Sequence, residues 1–166
     1  MARRRPKDRG AVLVEFALIL PVLVLLLFGI AEYGIAFNNL NSLRQGTREG
    51  ARQAVVATVD TDSSCTLTGI SPNTETRRLL CLIKDRIGLD PAKLRLKIEF
   101  PTANEEGESV LVCSQYPLNS VTGLFSSLLG GRIQTTEVLM RIESKDEDFQ
   151  ETAETPVASN NWSFCG

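Results

Sequence analysis

The chain has 166 residues and a net charge of −2, from 18 basic and 20 acidic side chains with no histidine. The missing imidazole removes the commonest general base and metal ligand. No G-x-S-x-G, P-loop or dinucleotide fingerprint is present either, so no catalytic residue, metal or cofactor is expected and the chain is not read as an enzyme. The charge is unevenly spread. Arg3, Arg4, Arg5, Lys7 and Arg9 face only Asp8 in the first ten residues, whereas the part after Phe37 holds 13 basic and 17 acidic side chains.

Residues 1–10 form a basic leader. A nucleic-acid-binding arm would have the same composition, but an apolar run follows at once, and a basic flank holding that run on the cytoplasmic side explains both features. No nucleic-acid partner is expected. From Ala11 to Phe37 the sequence carries only Glu15 and Glu32 as charges. That length suits a helix crossing a hydrocarbon core, which needs roughly 20 residues at ~1.5 Å each. The positive-inside rule then puts the N-terminus in the cytoplasm and the rest outside, a single pass through a membrane.

Within this helix Glu15 needs an explanation, because a carboxylate inside a membrane helix is costly, on the order of 2–3 kcal/mol at the centre and less near an end. A cut after Gly10 would give Ala11 a free amine with Glu15 roughly 6 Å further up the helix, where a staggered neighbouring subunit would pair amine with carboxylate. Pro21 removes one backbone hydrogen bond and predicts a kink or a loosened turn. Tyr33 falls where an outer interfacial anchor is expected, and Glu32 beside it has two readings, a partner subunit or headgroup exposure. The periodicity of Leu40, Leu43, Thr47, Ala51 and Ala54 extends the helix to residue 57. Gly46, Gly50 and Ala54 form a small-residue row for close packing, against either this protein's own sheet or another helix. Arg44, Arg48 and Arg52 form a basic stripe, most simply a solvated face.

Residues 58–73 are polar and turn-rich. Residues 75–87 have helical spacing, with Asn73 or Thr74 to cap the start and Gly88 to end it. Residues 94–100 alternate apolar and charged, a half-buried strand. A second strand is predicted at 109–116 and a third at 133–143, joined by an acidic hairpin and by residues 118–131. The latter segment, with Val121, Leu124, Phe125 and Leu128, either packs on the strands or docks on a membrane surface or partner. The expected class is α+β with a three-stranded antiparallel sheet and short helices. Residues 146–166 form an acidic tail, expected to be solvated and pinned by Cys165. The four cysteines fall on the predicted outer side, where they can oxidise. Three pairings are possible, and Cys65–Cys81 with Cys113–Cys165 is preferred because the first two flank one short local segment.

Basic leader, Gly10, four apolar residues, Glu15, Phe16, then an apolar run is the layout of type IV prepilin leaders. The stretch RGAVLVEFALILPVLVLLLFGIAEYGIAF followed by LRQGTREGAR, within residues 9–52, resembles the TadE-like family of the tight-adherence (Flp-type) pilus assembly system. Residues 112–143 resemble the family's C-terminal region more loosely. The resemblance implies a pilin-like fold: leader 1–10, transmembrane and stalk helix 11–57, extracytoplasmic domain 58–145 and tail 146–166. It also implies a pseudopilin cut by a prepilin peptidase between Gly10 and Ala11, with Glu15 and Phe16 as the recognition and assembly residues. The implied partners are the membrane, the prepilin peptidase, other pilins and pseudopilins, and the pilus assembly platform. The competing reading is a secreted or membrane-anchored binding domain behind an ordinary signal, cut near Ala31 or Ala36.

Overall fold

A single helix of 49 residues, α1 (Lys7–Val55), sets the length of the molecule in a computed structural model of the chain. The structure describes residues 7–56, 65–144, 148–157 and 161–166. The expectations for residues 1–6 of the leader, the helix end at 57, the loop positions 57–64 and the acidic positions 146 and 147 lie outside them. The helix continues through Pro21. Proline removes only one rung of the backbone ladder, and an apolar sequence offers the freed groups no better partner outside the helix. At its upper end α1 is closed by the sheet domain: the Val55 carbonyl accepts the N–H groups of Glu143 at 3.0 Å and Ser144 at 3.1 Å.

The second helix, α2 (Thr74–Ile87), has both predicted caps. The Asn73 side chain accepts from the Thr76 N–H, and Gly88, at φ 67°, takes the left-handed conformation that ends the helix. Its buried stripe of Leu79, Leu80, Ile83 and Ile87 meets Leu43, Ala51, Ala54 and Val55 of α1 in one core.

Strands β1 (Arg95–Glu99), β2 (Ser109–Pro117) and β3 (Ile133–Arg141) form antiparallel pairs, with a single turn of helix, α3 (Ser126–Leu129), between β2 and β3. The sheet has four strands rather than the expected three. The fourth, β4 (Thr152–Ala153), pairs with β1 through Lys97↔Ala153 and Ile98↔Thr152, giving the order β3-β2-β1-β4. Two residues show no period, and these lie in an acidic stretch whose composition suggests solvation; what makes them a strand is the open edge of β1.

Helices α1 and α2 cover one face of the sheet, where Leu96, Ile98, Val110 and Val112 join the core. The chain end covers the other face, where Leu111 and Cys113 pack with Cys165, Trp162 and Phe164. The central strand β2 is therefore buried on both sides from Val110 to Tyr116, while β1 keeps the alternation predicted for it.

Candidate functional site along the long helix

The lower part of α1 is bare. Residues 10–20 are all exposed, Phe16 and the apolar Val12, Leu13, Val14 and Leu18 among them. Gly10, Ala11, Glu15 and Phe16 thus stand on one continuous helical stretch, and a side chain at Gly10 would meet open space. Helix α1 is long and apolar enough to cross a membrane, and such a surface without partner atoms suits lipid or another apolar helix.

The domain's main polar contact with the lower helix is at Glu32. Its carboxylate is 4% exposed. Oε1 accepts from Ser120 Oγ at 2.7 Å, from the Thr122 N–H at 2.8 Å and from Thr122 Oγ1 at 2.7 Å, and Oε2 accepts from the Val121 N–H at 3.1 Å. Neither sequence reading of Glu32 foresaw this. The carboxylate is held by a loop of its own chain, and the signal available was weak: a lone acid in an apolar run, and a Ser-Val-Thr-Gly segment rich in donors. Two further contacts lie on the same side of the helix. Gln134 Nε2 donates to the Ala36 carbonyl at 2.7 Å, and a methyl group at Gly29 would sit 3.6 Å from the Phe125 ring.

Higher on α1, the small-residue row is filled by α2 of the same chain. A methyl group at Gly46 would lie 2.4 Å from Ile87 Cγ1 and 2.6 Å from its Cα, and one at Gly50 would lie 2.2 Å from Ile83 Cγ1. Ala54, the third member, is buried in the same core. Between them Thr47 donates to the Leu43 carbonyl at 2.7 Å and shares a 2.8 Å hydrogen bond with Ser114 of β2. The basic stripe of Arg44, Arg48 and Arg52 stays on the exposed side, with Arg52 paired to Glu49 at 3.2 Å. Gly46 stands about 46 Å above Glu15 at the helical rise, so the lower residues and the packing row belong to one element without touching.

The four cysteines form the disulfides Cys65–Cys81 and Cys113–Cys165. The first ties the loop before α2 to that helix, and the second ties the chain end to the middle of β2.

The family model of TadE-like protein matches residues 10–52. Over this segment the chain is similar to the TadE-like family. The match begins at the glycine before Ala11 and ends in the last turn of α1, so the TadE-like segment takes in the bare helix, the Glu32 contact and the Gly46–Gly50 row together. No curated protein and no solved structure matches the chain.

Proposed function

We propose that this chain is a pseudopilin of the tight-adherence pilus assembly system, inserted with its N-terminus in the cytoplasm and cut by a prepilin peptidase between Gly10 and Ala11. The observation that carries the reading is the extent of the family match, which runs from Gly10 to Arg52 and coincides with one unbroken helix. The role is structural. The cut frees the Ala11 amine roughly 6 Å below Glu15 on the helix axis. In a staggered array of such helices, that amine and a neighbour's carboxylate neutralise each other in a medium where neither is tolerated alone.

The sheet domain supports the same reading. Among the described residues it meets α1 from Gly29 upward, and residues 10–20 below are exposed, as a helix drawn from a bilayer into a fibre requires. The rival, a secreted domain released after Ala31 or Ala36, is disfavoured by the contacts of Glu32, Ala36 and Gly29 with the domain, because either cut would sever or remove part of that seam.

The test is the intact mass and N-terminal sequence of the protein from native membranes and from sheared surface material. A chain starting at Ala11 is expected. A start at Glu32 or Phe37 would replace the pilus reading with the secreted one, and an uncut chain in both fractions would remove the processing step.

A further inference from the structure

We propose that residues 120–129 form a foot that enters the outer boundary of the lipid bilayer through Val121, Leu124 and Leu128. The inference rests on the reading of α1 as a membrane-spanning helix. The three side chains are 67%, 53% and 64% exposed, although they belong to a segment that also carries the Glu32 contact. An exposed apolar patch marks an interaction surface, and its height along α1 identifies what covers it.

Strand β3 runs beside the upper helix. Gln134 meets Ala36 near its start and Glu143 meets Val55 just past its end. The foot turns the other way. Ser120 and Thr122 hold Glu32, and Phe125 stands against Gly29. From Ala36 to Gly29 the descent is about 10 Å at the helical rise. A hydrocarbon core of ~30 Å that begins near Ala11 ends about twenty residues later. Glu32 then lies at headgroup level and Phe125 at the edge of the acyl region, with Leu124 and Leu128 one and three residues away in the chain.

Charge agrees with a lipid surface. Between Glu108 and Glu137 the only charged side chain is Arg132, in a molecule whose part after Phe37 is otherwise acidic. Arg132 donates to the Leu128 carbonyl at 3.0 Å, which puts a cation beside the apolar patch, where headgroup phosphates stand. Acceptance by Glu32 also satisfies the Val121 and Thr122 N–H groups, a condition for backbone near hydrocarbon, where water does not supply partners. On the helix itself the exposed rings of Tyr33 and Phe37 stack at 6.2 Å, in keeping with an interfacial aromatic belt at the same height.

The full chain is reconstituted in phosphatidylcholine vesicles with acyl chains brominated near the headgroup or near the bilayer centre, and tryptophan quenching is read. The native Trp162, packed beside Leu111 and Cys113 on the far face of the sheet, gives the background. Leu128→Trp and, independently, Val121→Trp are expected to lose about half of the added emission to shallow bromines. Leu23→Trp, in the middle of the span, is expected to be quenched by the deep ones. Quenching at Leu23→Trp with none at either foot position overturns the proposal. Blue-shifted but unquenched emission at the foot would mean that protein covers the patch instead, and would overturn it too. Absence of quenching at Leu23→Trp would overturn the membrane reading itself.

Discussion

The Lys84 ammonium meets the Glu154 carboxylate at 2.8 Å, with the two side chains 1% and 0% exposed. Each is fully engaged. Lys84 also donates to the carbonyls of Thr66 at 3.0 Å and Pro91 at 3.3 Å, and Glu154 accepts from the N–H groups of Thr68 at 2.8 Å and Leu96 at 2.9 Å. One pair therefore joins α2, the loop before it, β1 and the stretch after β4. Lys84→Met should lower unfolding stability by about 3–5 kcal/mol, because it leaves a buried carboxylate without its countercharge. Glu154→Gln should also destabilise, since an amide N–H₂ would face a backbone donor. Denaturant midpoints of the purified protein check both, and values within error of wild type would show that the network does not hold the domain together.

Gly46→Ala and Gly50→Ala should both destabilise, although alanine is favoured over glycine by about 1 kcal/mol in a helix interior. Overpacking costs about 1–3 kcal/mol and exceeds that gain. Gly46→Ala should be the worse, because it meets the Ile87 backbone as well as its side chain, whereas Gly50→Ala meets only the Ile83 side chain. Thermal melts of the two variants rank them.

Glu32→Ala should release the 120–122 loop from α1 without unfolding the sheet. Hydrogen exchange at the Val121 and Thr122 amides should accelerate on the order of tenfold, while exchange in β2 stays unchanged. Glu32→Gln keeps one acceptor oxygen and should fall between the two.

Replacing the Cys113–Cys165 pair by serine should shift Trp162 emission to the red. Trp162 stands 5.8 Å from the Phe164 ring and donates to the Glu154 carbonyl at 3.0 Å, and it is the only tryptophan. Loop-closure entropy puts the stability loss at roughly 4 kcal/mol, against about 3 for the shorter Cys65–Cys81 loop. The latter pair, replaced in the same way, should leave the emission where it is.

Glu15→Ala and Gly10→Arg should abolish piliation at normal protein level with the outer domain still folded. Piliation counts by microscopy, alongside a disulfide and melting check of the domain, decide this. Normal fibres in either variant would remove the assembly role given to those residues.

The sequence by itself determined every element whose signal is local. An apolar run with few charges can only be a long helix. Asn73 and Gly88 bracket α2 through their own side-chain and backbone chemistry, and strict alternation from Leu94 to Phe100 fits a strand with one wet face. The TadE-like segment was legible for the same reason, since its residues follow one another along a single helix. What the tertiary structure decided depends on groups far apart in the chain. Strand β4 is set by the free edge of β1 rather than by its own two residues. The Gly46 and Gly50 row admits a helix, but only the fold shows that this helix is α2. In sequence Glu32 reads as a lone acid in an apolar run and Glu154 as one of several in an acidic tail, because the donors that bury them come from loops and strands about 60 to 90 residues away. Local pattern says which backbone forms; the partners of a buried charge are fixed only when the chain has closed around it.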